Sequence, residues 1–536
     1  MSTKTTPALI TAPPRDFAVT AGLFDALRER ADIALGTGVA AAALALGVPY
    51  ALGAGFDYDD WSVVAHYYLG AAGRVSFRPA FGLWATPMVW AFGTNAHLYY
   101  LASQVVFALA SVLLYVALRR LELGRGLALA ATLLFVVSPL ADGMRLWWTG
   151  TENLIALALV LGSIIVGRAW VLDRRRRGRL VVSLLLLGLS VTVYESASVF
   201  VLVPVALLPL ASAASPSRTL AKAALDVAVT ALVLPLTIIE NASAKVQVLR
   251  PLAQVPARAA NLAVGGYTTL VPRQLAGIAA VDLALGAGAG LAVGAAVLLM
   301  KPSSRGWREA PAAVRWGLSL FLLGLAVFAS WVFLLPANDW YKPTLLGLGN
   351  RVNEGAQVFL AVFLAVGATA VARGLARLGR SRALGIGAGV FVVAVLLSSF
   401  TRRSLDDIRQ FERAAVKRDA VLAAVARALP PPNPGDAVLL GNYNLFSGHQ
   451  WVPVFAADWD TRGAIRLLYR DRTLLANPVT RGARCDAKGV TDNGARYAWS
   501  RLHLVDVGRG VVVTLPRSDA CNVGLAALTT RAYPSP

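Results

Sequence analysis

Apolar stretches long enough to cross a membrane recur along the first 400 residues of the chain, separated by short polar segments. A helix of ~20 apolar residues spans the ~30 Å hydrocarbon core of a bilayer. The run at 180–211 is ambiguous, since it fits one long helix or a tight pair. Counted as a pair, it brings the predicted spans to eleven. These lie at 31–53, 98–118, 126–140, 153–172, 180–194, 197–211, 223–239, 277–300, 316–336, 355–372 and 383–400.

The pattern changes after residue 400. Residues 401–429 carry apolar side chains at helical spacing, and a proline cluster that begins at Pro430 ends this segment. The later segments that resemble strands are 436–440, 497–505 and 510–515. Glycines at 508 and 510 predict a hairpin between the last two. The sequence therefore predicts an α-helical polytopic membrane protein with about 11 transmembrane helices and a small C-terminal α/β domain.

Composition supports this class of protein. Hydrophobic residues make up 57% of the chain and charged residues only 15%, against roughly 25% in a typical soluble domain. The formal net charge is +21, but the basic residues fall in short clusters between apolar runs. That distribution is typical of membrane topology rather than of nucleic-acid binding. We therefore expect the lipid bilayer, and no nucleic acid, among the partners.

The positions of the basic clusters predict the topology. If 180–211 counts as two spans, the clusters occupy every second junction, and excess Lys and Arg marks the cytoplasmic side. The clusters lie at 119–125, 174–179, 218–222, 301–315 and 373–382. We expect a cytoplasmic tail over 1–30, a transmembrane domain over 31–400 and an extracytoplasmic domain over 401–536. The Arg- and Ala-rich composition favours a bacterial inner or plasma membrane.

The chain has two cysteines, Cys485 and Cys521, and both fall in the domain expected outside. Oxidising compartments favour disulfides, so we predict a bridge between them, with two unrelated buried thiols as the alternative. The four histidines are dispersed and lack the spacing of zinc ligands.

The segment Phe56–Trp61 carries three carboxylates among aromatic residues at the outer mouth of the first span. A solvated loop that merely ends a helix would also explain these charges. The stretch that follows, 62–70, places Val64 and Tyr68 on one face with Trp61, which predicts a helix in the membrane interface. A carboxylate pair at that level, Asp59 and Asp60, suits general-base chemistry on a hydroxyl group.

The polytopic plan and an acidic pair in the first external loop, followed by an interfacial helix, resemble the GT-C superfamily of glycosyltransferases. The resemblance covers the general plan of residues 31–400 and one short motif. It implies a membrane enzyme with a polyprenyl-phosphate sugar as donor, with Asp59 as general base and Asp60 as second candidate. Members differ in metal dependence, so a divalent cation (Mg²⁺, Mn²⁺ or Ca²⁺) held by these two residues is left open. No other cofactor is expected.

Release of a phosphate leaving group needs positive charge nearby. Basic residues are rare in short external loops, so those that occur there need an explanation. The external candidates for phosphate binding are Arg78, Arg145, Arg273, Lys342 and Arg351. Arg351 is the first choice because a guanidinium contacts phosphate through two parallel hydrogen bonds. A snorkelling interfacial arginine is the alternative for any single residue.

Four residues are candidates for binding an acceptor or a sugar. Tyr194 and Glu195 lie at the outer turn if 180–211 forms two spans, where a carboxylate near lipid needs a partner or a cavity. Trp147 and Trp148 anchor the interface or stack on a sugar ring.

The leading hypothesis is an inverting hexosyl- or pentosyltransferase. It would move a sugar from a polyprenyl-phosphate donor to a glycan, lipid or protein acceptor on the outer face. A transporter or flippase of lipid-linked sugars is an alternative from another class, although transporters often show related halves and no halves repeat here. A polymerase or ligase of lipid-linked oligosaccharides is the third hypothesis.

Overall fold

The computed structural model describes residues 15–70, 80–211, 215–241, 255–265, 312–332, 348–378, 382–447, 452–518 and 520–531. The helices up to residue 428 are α1 (Arg15–Gly53), α2 (Asp59–Leu69), α3 (Phe81–Phe92), α4 (Ala96–Arg120), α5 (Arg125–Val137), α6 (Gly143–Leu146), α7 (Thr151–Leu172), α8 (Arg177–Val193), α9 (Val203–Ala206), α10 (Pro216–Asn241), α11 (Val255–Gly265), α12 (Ala312–Val332), α13 (Glu354–Leu378) and α14 (Arg382–Ala428).

Within the described residues, six helices are long and apolar enough to cross a membrane, and the chain is an integral membrane protein. The predicted span 277–300 lies outside the described residues, and the count of eleven stays a prediction. Sequence reasoning did not predict α3, because its 12 residues are too few for a span. Leu83 and Trp90 of α3 are strongly exposed, as lipid-facing side chains are.

The 180–211 run does divide into two segments. Helix α8 ends at Val193, and the chain continues as 3₁₀ helix over Glu195–Leu202, then α9, then a 3₁₀ turn at Leu208–Leu210. The segment predicted as a span at 197–211 is an apolar helical segment, but much of it has the tighter 3₁₀ winding. A 3₁₀ helix rises about 2.0 Å per residue, so this short segment reaches further than an α-helix of equal length.

The helices present two different ends. At one end, which we call the basic end, Asp32 of α1 binds Arg119 and Arg125 at 3.1 and 2.9 Å. Arg218 donates to the carbonyl of Leu172 at 3.3 Å, and the guanidinium of Arg373 lies 4.4 Å from the ring centre of Trp316. The opposite end carries the acidic motif and is called the site end. This segregation is the one that the alternating basic clusters predict.

Helix α14 continues without interruption from the last predicted span into the C-terminal region and is 47 residues long. The predicted boundary at residue 401 therefore lies inside a helix. A continuous helix of this length couples the position of the C-terminal domain to that of the membrane spans.

The C-terminal domain has a four-stranded sheet with the order β4-β1-β8-β9, in which β1 is parallel to both neighbours and β9 is antiparallel. A three-stranded antiparallel sheet, β5-β6-β7, and a short β2-β3 pair accompany it. The elements are β1 (Ala437–Gly441), β2 (Phe446–Ser447), β3 (Val452–Pro453), α15 (Asp458–Tyr469), β4 (Leu475–Pro478), β5 (Arg484–Asp486), β6 (Gly489–Asp492), β7 (Ala495–Ala498), β8 (Leu502–Asp506), β9 (Val511–Val513) and α16 (Cys521–Ala527).

Two details of this domain bear on the sequence predictions. The predicted strand 497–505 is wrong as one element, because a 3₁₀ turn at Trp499–Arg501 separates β7 from β8 and sends them into different sheets. The β8–β9 hairpin forms as predicted. Cys485 and Cys521 form a disulfide that ties β5 to α16, with their Cα atoms 6.2 Å apart.

Candidate functional site

The loop between α1 and α2 has an unusual backbone. Tyr58, which precedes α2, has φ 37° and ψ −109°, a combination that bulky residues rarely adopt. The turn is closed by the amide of Asp60, which donates to the carbonyl of Asp57 at 2.8 Å. Strained residues persist only where the surrounding structure holds them, and they concentrate at functional sites. The loop is therefore fixed by contacts on both sides of Tyr58.

Asp60 provides one of these contacts and is completely buried. Its carboxylate accepts hydrogen bonds from the amides of Asp57 and Thr149, at 3.0 and 2.9 Å, and from the hydroxyl of Tyr100 at 2.8 Å. Burial raises the pKa of Asp60 to about 7 in spite of these donors. Asp60 thus joins the loop between α1 and α2 to α4 and to the loop before α7, and its burial leaves it no access to a substrate.

Asp57 provides the second contact, through a buried ion pair with Arg418 of α14 at 2.9 Å. Arg418 also donates to the carbonyl of Pro453 in the C-terminal domain at 2.7 Å. Burial raises the pKa of Asp57 to about 6, and Arg418 opposes that rise. The pair links residues 361 positions apart and, through Arg418, connects the acidic loop to α14 and to the C-terminal domain.

Asp59 differs from both neighbours because its side chain is partly exposed. Its Oδ1 accepts a hydrogen bond from the indole Nε1 of Trp459, at the start of α15, at 2.8 Å. Among the described residues, none donates to its Oδ2. Of the three carboxylates in the motif, Asp59 is therefore the one that a substrate hydroxyl can reach.

Aromatic rings connect Asp59 to a positive charge. The ring of Tyr58 lies edge-on to Trp459 at 5.3 Å and to Trp147 at 6.5 Å between ring centres. The guanidinium of Arg351 lies 4.5 Å from the ring centre of Trp147. Burial raises the pKa of Tyr58, Asp59 adds to the rise and Arg351 opposes it, so both charges act on one hydroxyl. Tyr58, Asp59, Trp147, Arg351 and Trp459 are called the open cluster below.

Arg351 is partly exposed and is held by a 3₁₀ helix, Leu348–Asn353, directly before α13. Asn153 donates to its carbonyl at 3.4 Å, and Asn353 donates to the carbonyl of Leu140 at 2.9 Å. These amide side chains fix the segment to α7 and to the loop that follows α5. The guanidinium is thus positioned by its backbone as well as by Trp147.

A second polar group lies inside the molecule. Asn350 donates to Asp142 at 2.6 Å and accepts from the amide of Gly143 at 2.9 Å, while Arg145 donates to Ser404 at 2.5 Å. Asp407 of α14 faces Asp142. Asp142, Arg145, Asn350, Ser404 and Asp407 are called the buried cluster.

Charge in the buried cluster is balanced internally. Burial raises the pKa of Asp142, and Asp407 and Arg145 oppose that rise. Among the described residues, no donor reaches Oδ2 of Asp142. A proton shared with Asp407 would satisfy this oxygen, since two adjacent buried carboxylates do not both ionise. Arg145 itself is buried, with Phe107 5.6 Å from its guanidinium, so it does not face an external phosphate.

The residues predicted to contact an acceptor occupy different environments. Trp148 is completely buried against Tyr99, 4.6 Å between ring centres, and this burial removes it from contact with a sugar. Trp147 is also buried, but its ring is in contact with the guanidinium of Arg351. Tyr194 and Glu195 lie at the junction between α8 and the 3₁₀ segment, and their contact with an acceptor stays a prediction. The next residue, Ser196, donates to Glu354 at the start of α13 at 3.0 Å.

Three of the basic candidates, Arg78, Arg273 and Lys342, lie outside the described residues. Within the part of the chain that the structure describes, no group of three or more His, Cys, Asp or Glu side chains is arranged so that it could hold a metal ion. Asp60 is enclosed by protein donors, so it does not fit beside Asp59 as a ligand of one cation. A metal site stays a prediction.

Sequence reasoning missed two parts of the site. Trp459 meets Asp59 across 400 residues, and the only local signal was an aromatic residue between two aspartates in a polar helix. The Arg418 contact with Asp57 was missed for the same reason. Contacts of this range leave no periodic pattern in a single sequence.

No protein-family model matches the chain, and no curated protein matches it. Similar solved structures include the apo oligosaccharyltransferase of Archaeoglobus fulgidus, with 12% identity and a TM-score of 0.46. Another is ArnT of Cupriavidus metallidurans bound to undecaprenyl phosphate, with 14% identity and a TM-score of 0.40. Both belong to the GT-C superfamily, which the sequence motif resembles.

The match covers 84% of this chain and 65% of the oligosaccharyltransferase, and 82% of this chain and 85% of ArnT. The chain thus spans about two thirds of the length of the oligosaccharyltransferase. At this distance the likeness assigns neither a function nor site residues.

Proposed function

We propose that the protein is an inverting glycosyltransferase of GT-C type that uses a polyprenyl-phosphate sugar as donor. The observation that carries the proposal is the open cluster at the site end of the membrane domain. In this cluster the accessible carboxylate of Asp59 and the guanidinium of Arg351 contact the same group of aromatic rings. Glycosyl transfer from a phosphate needs these two groups, a base for the acceptor and positive charge for the leaving group. The donor class is inferred from the sequence motif and its position at the membrane surface.

In this mechanism Asp59 accepts the proton of an acceptor hydroxyl through its open Oδ2. The acceptor oxygen attacks the anomeric carbon on the face opposite the phosphate, so the configuration inverts. Arg351 contacts the phosphate and stabilises the negative charge that develops as the bond to the anomeric carbon breaks. Asp57 and Asp60 do not take part in the chemistry, and their buried contacts hold Asp59 in place.

The direction in which the site faces is also proposed. Excess Lys and Arg marks the cytoplasmic side, so the basic end is placed there and the open cluster outside. The donor would enter laterally from the outer leaflet of a bacterial plasma membrane. A topology reporter fused after Arg531 tests this placement, and a cytoplasmic signal would contradict it.

The experiment that tests the function uses purified protein in nanodiscs. It is incubated with a panel of polyprenyl-phosphate hexoses and pentoses and a mixture of glycan, lipid and peptide acceptors, and products are identified by mass. We expect one donor to give a glycosylated product that the Asp59→Asn variant does not form. Transbilayer movement of a donor without any new product would instead identify a flippase. Transfer of whole oligosaccharides would identify a polymerase or ligase.

A further inference from the structure

Helix α15 of the C-terminal domain packs closely against α2 of the membrane domain. Gly463 lies so close to α2 that a Cβ atom there would be 2.5 Å from the carbonyl carbon of Trp61. The first turn of α15 is fixed as well, because buried Asp460 accepts from the amides of Ala456 and Ala457 at 3.0 and 3.1 Å. Trp459 lies on this turn, so its position relative to Asp59 is set by both domains.

The indole Nε1 of Trp459 is hydrogen-bonded, but its ring is only partly covered by protein. Its Nε1 donates to Asp59, and the edge of Tyr58 packs against it, yet 42% of the residue is exposed. A large apolar ring in a fixed orientation beside a reachable carboxylate is a suitable surface for the apolar face of a sugar. The hydrogen bond also fixes which oxygen of Asp59 stays open.

We infer that Trp459 is a positioning residue for Asp59 and the platform on which a carbohydrate acceptor stacks, so that the C-terminal domain completes the active site. The inference rests on the proposed function and specifies its acceptor as a glycan. The sugar ring lies on Trp459, and one of its hydroxyl groups meets Oδ2 of Asp59. That hydroxyl gives its proton to Asp59 and forms the bond to the anomeric carbon, while the donor phosphate leaves with the electron pair of the bond it loses.

Two substitutions separate the two roles of Trp459. Trp459→Phe keeps an aromatic ring and removes the Nε1 donor, so kcat should fall about 10- to 100-fold while KM for the acceptor stays within about twofold. Trp459→Ala removes the ring as well, so KM for the acceptor should also rise about tenfold. Trp499→Phe is the matched control, because Trp499 also donates through Nε1 at 2.8 Å, to the carbonyl of Asp486 in the same domain.

Binding is measured separately from transfer, by saturation-transfer NMR with the methyl glycosides of mannose, glucose, galactofuranose and arabinofuranose. We expect wild type and Trp459→Phe to bind at least one of these sugars and Trp459→Ala to bind it at least tenfold more weakly. Binding by wild type and Trp459→Ala alike, or no binding by wild type, would overturn the inference.

The remaining outcomes are also distinguishable. If Trp459 only anchored the domain at the membrane interface, Trp459→Ala would have the kcat and the acceptor KM of the wild type in detergent. That result would overturn the inference and leave the proposed function standing. Sugar binding that depends on Trp459 without transfer from any donor would support the platform and refute the proposed glycosyltransferase.

Discussion

The open cluster around Asp59 and the buried cluster around Asp142 both contain aspartate and arginine side chains, but they differ in their access to solvent. Each contains an arginine at the site end of the helices, with one carboxylate, Asp59, in the open cluster and two, Asp142 and Asp407, in the buried cluster. In the open cluster Asp59 and Arg351 are partly exposed and are joined by aromatic rings. In the buried cluster Asp142 and Arg145 are enclosed, and Asn350 donates to Asp142 while Arg145 donates to Ser404.

The difference shows why residue type alone did not distinguish candidate catalytic residues from structural ones. A buried ion pair is neutralised by its neighbours and fixes the elements that carry it. A half-exposed charge keeps part of its bonding capacity for a ligand. The same contrast occurs within one motif, where Asp57 and Asp60 are structural and Asp59 is open. Substitutions in the two clusters should therefore change different measured quantities.

The largest expected effect is on catalysis in the open cluster. Asp59→Asn should lower the transfer rate about 10²- to 10⁴-fold, because it removes the general base, with thermal unfolding unchanged. Asp406→Asn is the control, since Asp406 is an exposed aspartate in a salt bridge with Arg409. Rates are measured by product mass with the active donor. A wild-type rate in Asp59→Asn would remove Asp59 from the mechanism.

Substitutions in the buried cluster should lower the free energy of unfolding. Arg145→Met removes one partner from an enclosed group of charges, and we expect the free energy of unfolding to fall by about 3–5 kcal/mol. The same substitution at Arg409, an exposed partner, should cost only about 0–1 kcal/mol. Unfolding of both variants is followed in detergent. Equal losses would contradict the distinction between the clusters.

A smaller effect is expected on donor binding. Arg351→Ala should weaken binding of polyprenyl phosphate about 10- to 100-fold, because a hydrogen bond to a charged group is lost, while acceptor binding changes less. Arg351→Lys should recover only part of the affinity, since an ammonium lacks the planar fork. Titration with polyprenyl phosphate measures both. Unchanged affinity in a folded Arg351→Ala variant would shift attention to Arg78 and Lys342, because Arg145 is enclosed.

The smallest effect concerns pH. Asp57 and Asp60 have folded-state pKa values of about 6 and about 7, above the ~3.9 of an unfolded aspartate. Between these values the folded state binds more protons, so their contribution to stability is full below about pH 4 and falls as pH rises to about 7. Asp60→Asn should be destabilising by about 1–3 kcal/mol, because its amide group cannot accept from all three donors.

The difference in the free energy of unfolding between wild type and Asp60→Asn should become smaller as pH rises from about 5 to about 8. The reason is that the wild type loses the stabilising contribution of Asp60 over that range. Unfolding midpoints across this interval provide the measurement. A gap that widens with pH would mean that the charged form of Asp60 is the more stable one in the folded protein.

Much of the architecture could be predicted from the sequence because it depends on local pattern. Apolar run length predicts spans, and the alternating clusters from Arg119 to Arg377 predict the two ends that the helices present. The 3₁₀ winding after Tyr194 could not be predicted in this way, because an apolar run does not specify the pitch of its helix. The strand expected at 497–505 is two strands for a similar reason. Its alternating pattern does not show that β7 and β8 belong to different sheets.

The sequence by itself determined that this is a membrane protein with an acidic motif at a helix mouth, because burial in lipid requires apolar runs and leaves charges at their ends. Only the tertiary structure decided which aspartate is open, which arginine is enclosed and that Trp459 meets Asp59. Those outcomes depend on solvent access and on contacts across hundreds of residues, and side-chain burial is a property of the packed chain rather than of any segment in it.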